Sequence, residues 1–169
     1  TYQIFPVLGL IAFSLMWSQY TLGTVKQIWL KDLVLRTYYR WTGYIVLLAI
    51  ILHPGLLAYQ RARDGFGPPP DSFKSYVAPS LAWLTLVGMS CLLIFLAFEL
   101  RRWFRKYSWW RFMNYLVDLA MLAIFYHALE LGTQTHISWY RDVWWFYGGS
   151  LVAILAHKYF SRIAWSRQK

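Results

Sequence analysis

Apolar positions fall in five long runs, separated by short charged stretches. The first charged residue is Lys26, so an opening run extends from about Ile4 to Tyr20. Trp41–Gln60 lies between Arg40 and Arg61, and Ser75–Phe98 between Lys74 and Glu99. A fourth run, about 112–131, is interrupted by Asp118. The fifth starts at Val143 and reaches His157, with Tyr159 and Phe160 extending it to 160. A membrane-spanning helix needs roughly 17–25 mostly apolar residues. Only helices and closed barrels satisfy their backbone groups in hydrocarbon, and barrel strands would be shorter and alternating. The pattern therefore predicts an all-α integral membrane protein, one domain over 1–169, with a bundle of about five transmembrane helices. Its spans are about 4–20, 41–60, 75–98, 112–131 and 143–160. The first run lacks a basic leader and is long enough to span, so it reads as a span rather than a cleavable signal. A start at Thr1 leaves room for an earlier segment. The irregular linker is Arg61–Lys74, whose Pro68–Pro69–Pro70 run favours polyproline II. No repeat is evident in the sequence, and Gly132 reads as a helix C-cap.

Composition sharpens this picture. Of 169 residues 59% are hydrophobic and 14% charged, against about 25% charged in soluble domains. A single cysteine, Cys91, excludes an intramolecular disulfide framework and reads as a packing residue. Net charge is +10, from 17 Lys and Arg against 7 Asp and Glu. Because these charges sit between apolar runs, they are a topology signal and not a nucleic-acid footprint. Lys26, Lys31, Arg36, Arg40, Arg101, Arg102, Arg105, Lys106, Arg111, Lys158, Arg162, Arg167 and Lys169 fall on one side. Arg61, Arg63, Lys74 and Arg141 fall on the other. The positive-inside rule then expects the N-terminus outside and the C-terminus inside. Trp17, Tyr20, Tyr38, Tyr39, Trp103, Trp109, Trp110, Trp139 and Tyr140 read as interfacial belts.

Two of the four histidines, His53 and His127, lie within spanning runs at matched depth, in the expected outer half. Intramembrane ionisable groups are costly and face the bundle interior. Two neutral imidazoles at one depth can hold one metal ion or one haem iron between them. They can equally be two unrelated hydrogen-bonded histidines. Asp118 shares a helix face with Asn114 and could serve proton transfer or a quinone, or form a polar pair with Asn114 or Tyr39. His157 reads as interfacial and His136 as exposed, while Pro54 after His53 suggests a kink. Glu130 reads as solvated near the outer boundary. No nucleotide-binding, HExxH, nucleophile-elbow or CxxC motif is present.

The segments "YYRWTGYIVLLAIILHPGLLAY" (38–59) and "WWRFMNYLVDLAMLAIFYHALELG" (109–132) resemble the two haem-bearing helices of the ferric reductase-like transmembrane domain family. That family includes NADPH-oxidase membrane domains and the membrane haem subunit of bacterial periplasmic methionine sulfoxide reductase systems. The resemblance covers about residues 36–165, including "FELRRWFRKYSWWRF" and a final "FYGGSLVAILAHKYF". It implies two stacked b-type haems, each of two helices giving two histidines 13–14 residues apart. Here Tyr39 stands fourteen residues before His53, and Asn114 thirteen before His127. The inner ligand pair is thus missing. What remains implies a membrane b-type cytochrome-like subunit with one outer haem b on His53 and His127. Arg61, Arg63 and Arg141 are then candidate propionate contacts. Such a subunit would be an electron-transfer component of an oxidoreductase in a bacterial inner (plasma) membrane, fed by a quinol or another membrane donor and passing electrons to an outer-side partner. The alternative is a haem-free or structural accessory subunit of a larger respiratory or photosynthetic complex.

Overall fold

The computed structural model describes residues 2–28, 34–99, 107 and 110–166, without the side chains of 27, 28, 71, 74, 99, 111 and 162–166. Lys31, Arg101, Arg102, Arg105, Lys106, Trp103, Trp109, Arg167 and Lys169 lie outside the described residues, as do the side chains of Lys74, Arg111 and Arg162. Among the described residues every regular element is helical. The elements are α1 (Ile4–Ile28), α2 (Arg36–Arg63), the single turn α3 (Asp71–Lys74), α4 (Ala82–Glu99), α5 (Trp110–Leu131) and α6 (Ser138–Ser166).

Four helices are long and apolar enough to cross a membrane, over Ile4–Lys26, Arg36–Arg63, Pro79–Phe98 and Phe112–Leu131. α6 is long enough, but Trp144, Trp145, Tyr147, His157 and Lys158 lower its mean hydropathy. Side chains on the outside of the bundle are large and apolar: Leu48, Leu93, Phe112, Leu119, Phe146 and Phe160 are each more than 60% exposed. Patches of this size are rare on soluble monomers and match lipid instead.

Element boundaries shift from those expected. Residues 75–81 do not continue the third span as α-helix. Ala78 precedes Pro79 and is extended (φ −56°, ψ 143°), and only a 3-10 turn, Pro79–Leu81, leads into α4. α2 runs unbroken through Pro54. It ends with Gly65 at φ +86°, the left-handed cap that glycine adopts without Cβ cost. Gly132 does end α5, but not by a left-handed turn: its φ is −75°. A Cβ there would lie 2.5 Å from the Ala128 carbonyl oxygen and 3.2 Å from Thr135, whose buried hydroxyl sits 3.0 Å from the Leu129 carbonyl. Close approach, not backbone handedness, requires glycine at this position.

α1 pairs along α2, and α4 along α5, while α6 packs across α1 and α5. The seam with α6 is aromatic. Trp144 is fully buried, with ring centroids 4.8 Å from Phe13 and 6.3 Å from a parallel Phe125. Trp17 stacks on Tyr147 at 4.4 Å and donates its indole N–H to Ser150 Oγ at 2.9 Å. Several of the expected belt aromatics are therefore inter-helix contacts. Tyr38 reaches Ser18 Oγ at 2.5 Å, Tyr39 donates to the Gln19 carbonyl at 3.1 Å, and Trp110 is buried. Trp139, 64% exposed, keeps the outward position expected of a belt. Cys91 lies in the central apolar cluster, as its reading as a packing residue implies.

Trp144→Ala removes an aromatic at the centre of this seam. It should destabilise the detergent-solubilised protein by about 3–5 kcal/mol. Val152→Ala, at a 57% exposed position on the same helix, should leave the melting temperature nearly unchanged. Equal shifts from both variants would contradict the packing described.

Candidate cofactor site: two anchored histidines facing one cavity

His53 and His127 each lie seventeen residues beyond the first residue of their helix, Arg36 in α2 and Trp110 in α5. Both line a single cavity at the end of the bundle that carries the α2–α4 linker and the Gly132–His136 connection. The walls are mostly apolar and come from four helices: Phe5, Leu10, Phe13 and Met16 of α1, Ile50 and Leu57 of α2, Met89 and Phe95 of α4, and Ile124 of α5. Phe73, Tyr76 and Val77 close it from the linker.

The two imidazoles are held alike. His53 Nδ1 lies 2.5 Å from the Phe5 carbonyl oxygen, and His127 Nδ1 lies 2.8 Å from the Leu84 carbonyl oxygen. A carbonyl oxygen only accepts, so each Nδ1 must carry the proton and donate it. Each Nε2 is thereby left with its lone pair. Metal-bound histidines are oriented in this way, by a hydrogen bond from the other ring nitrogen. Among the described residues no group of three or more His, Cys, Asp or Glu is placed to hold a bare metal ion. Two imidazoles are, however, the full protein donor set of a six-coordinate haem, whose macrocycle supplies the other four nitrogens. The residues present fit that group.

The remaining residues singled out from the sequence do not gather here. Arg61, Arg63 and Arg141 are absent from the cavity wall. Arg61 is buried and committed to the linker: it donates to the Ser72 carbonyl at 3.3 Å and Ser75 Oγ at 2.6 Å, and lies 3.3 Å over the Phe66 ring. Arg63 pairs with its neighbour Asp64 at 3.3 Å, and Arg141 is exposed on α6. The polar groups in the cavity wall besides the histidines are Tyr76, Thr85 and Thr133. Glu130 is half-buried, and His136 and His157 are exposed.

Tyr39, Asn114 and Asp118 do not converge either. Tyr39 bonds to α1, and Asn114 is exposed. Asp118 is buried, with its carboxylate bonded to Lys158 Nζ at 2.8 and 2.6 Å, to the Tyr159 hydroxyl at 2.6 Å, and to the Tyr20 hydroxyl. The expected polar pair with Asn114 or Tyr39 is thus replaced by a cluster joining α5 to α6 and α1. Lys158, one of the inner-side cations in the topology reading, is drawn into the bundle instead. An intramembrane carboxylate needs a counter-ion, and this is the cation within reach. Asp118 lies nine residues before His127, about 13 Å along the helix at 1.5 Å per residue. Sequence reasoning also missed Gly9 and Gly88, which lie against the two histidine rings. Their signal, a lone glycine in each of the first and third apolar runs, is weak without the partner ring.

The start of α1 is tied down beside the cavity. The Tyr2 hydroxyl donates to Asp64, and Tyr2 stacks on Tyr76 at 5.7 Å. This hydrogen bond, followed by Arg63, holds the Asp64 carboxyl below the ordinary carboxylate range. Comparison of the chain with family models, with curated proteins and with solved structures returns no match.

Two predictions follow from this arrangement. Lys158→Met strands the Asp118 carboxylate, and losing one partner of a buried pair should cost about 3–5 kcal/mol. Adding Asp118→Leu should recover most of that loss, as read by melting temperature in detergent. If the double variant is no more stable than the single, the pair is not the cause. The second concerns pH. The fold favours ionised Asp64, so its contribution is complete above the unfolded value of about 3.9 and fades as pH falls through the lowered folded value. The protection factor of amides at the start of α1, taken against the unstructured exchange rate at the same pH, should therefore fall in acid, and Asp64→Asn should remove that fall.

Proposed function

We propose that this chain is a membrane b-type cytochrome subunit that holds one haem between His53 and His127. The observation that carries this reading is the matched pair of imidazoles. Each donates Nδ1–H to a backbone carbonyl, and both line one apolar cavity. The resemblance to ferric reductase-like transmembrane domains supports the same assignment, as does the absence of histidine at Tyr39 and Asn114. Bound there, haem would carry one electron at a time through its iron. His53 and His127 would hold the iron through their Nε2 atoms, and with both in place electron transfer would be favoured over oxygen binding. The apolar walls would keep water from the bound group, and Tyr76, Thr85 and Thr133 are the polar side chains in the wall that could meet its propionates.

In this proposal α6 is a fifth span: at 29 residues it can cross a bilayer, and its exposed side chains include Trp145, Phe146, Val152 and Phe160. The Lys and Arg distribution supports an outside N-terminus and an inside C-terminus, which puts the haem in the outer leaflet. The membrane is the bacterial inner membrane. Electrons arrive from a membrane donor of the quinol class or from a partner subunit, and leave to an acceptor on the outer side.

A pyridine haemochromogen assay on the purified protein should find one haem b per chain, with a low-spin reduced-minus-oxidised spectrum. His53→Ala and His127→Ala should each lose that spectrum while still inserting in the membrane. A wild-type protein without any b-type signal would overturn the proposal in favour of a haem-free structural subunit.

A further inference from the structure

Both histidine anchors are built on the same two-part device, and it lies on the helices that carry no ligand. Phe5 and Gly9 stand four residues apart in α1, and Leu84 and Gly88 stand four apart in α4. His53 takes the Phe5 carbonyl, and His127 takes the Leu84 carbonyl. A Cβ added at Gly9 would meet the His53 ring at 2.9 Å from Cε1 and 3.0 Å from Nδ1. At Gly88 it would meet the His127 ring at 2.7 and 3.0 Å from the same two atoms. Real Cβ contacts essentially never fall below 3.0 Å, so each imidazole lies flush on helix backbone.

The i to i+4 spacing has a physical reason. Side chains in a helix lean toward its N-terminus, so a residue covers the turn before its own Cα. A carbonyl that already accepts its helical N–H still has a second lone pair, but the side chain four residues on shields it. Glycine at that position leaves the lone pair open from the side. The same missing Cβ provides the space in which the donating ring sits.

We propose that Gly9 with the Phe5 carbonyl, and Gly88 with the Leu84 carbonyl, are positioning residues for the cofactor site. They fix the tautomer and rotation of His53 and His127, so that both Nε2 atoms face the cavity. This rests on the haem reading above and adds to it: α1 and α4 would orient the two imidazoles of a site whose ligands they do not supply. Each of the two histidine-bearing helices is thus backed by a glycine-notched helix, α2 by α1 and α5 by α4.

The test compares Gly9→Ala and Gly88→Ala with two controls on α2, Gly43→Ala and Gly55→Ala, where an added Cβ meets nothing within 4 Å. Each purified variant is measured by haemochromogen content, by electron paramagnetic resonance of the oxidised form, and by redox titration. Gly9→Ala and Gly88→Ala should shift the low-spin g values and the midpoint potential, or lose the low-spin signal, whereas the controls should match wild type. A second measurement guards against failure to fold. In a His53→Ala background no ring remains for the Gly9 methyl to meet, so the Gly9→Ala destabilisation should disappear, leaving at most the small gain that alanine brings to a helix. If the wild type holds haem and the two variants match the controls in spectrum and potential, the positioning role is overturned while the haem reading stands. A destabilisation by Gly9→Ala that persists without His53 overturns it likewise. If the wild type holds no haem, the functional reading itself fails and this inference fails with it.

Discussion

The Phe5 and Leu84 carbonyl oxygens can accept a hydrogen bond but not give one, and the order at the cavity end of the bundle depends on this. Each lies within 2.8 Å of a histidine Nδ1, so each dictates a tautomer. An imidazole buried in an apolar setting without such a partner would leave a polar N–H unsatisfied, at a cost of about 1–3 kcal/mol. With the partner, the ring is fixed and its other nitrogen keeps its lone pair. The helix that supplies the carbonyl must then approach closely, which is possible only where a side chain is missing. Packing of α1 on α2 and of α4 on α5 is therefore continuous with the geometry of the two rings.

The other half of the bundle is held by a different interaction. Asp118 carries a charge in an apolar setting, and its carboxylate is met by Lys158 and by the hydroxyls of Tyr20 and Tyr159. That set draws on α1, α5 and α6, the helices that also share the Phe13, Phe125 and Trp144 seam. The two halves thus use polar contacts in opposite ways. At one end hydrogen bonds leave a lone pair open on each ring. At the other, every partner closes on a single carboxylate. α1 contributes to both, with Phe5 and Gly9 at one end and Tyr20 toward the other.

Much of this was legible in the sequence, and some of it was not. The length and spacing of the apolar runs predicted helices where four long apolar helices occur, and the matched depth of His53 and His127 agrees with both lining one cavity. The sequence could not reveal that Arg61 turns into its own linker, because a cation flanking a span reads the same whether it faces a ligand, a lipid or a backbone carbonyl. Nor could it identify Lys158 as the counter-ion of Asp118. The two are forty residues apart, and only the packing of α6 across α5 brings them to 2.6 Å.

The sequence by itself determined the helical, apolar character of the chain and the placement of two histidines near one end of the bundle. Both follow from local composition and from counting along a helix, whose rise per residue is fixed. Tertiary structure decided which residues do the positioning. "FPVLG" and "LTLVG" share little beyond the spacing of a carbonyl and a glycine, and a carbonyl has no letter in a sequence. Its availability depends on what lies over it, and that is set only when a second helix packs against the first.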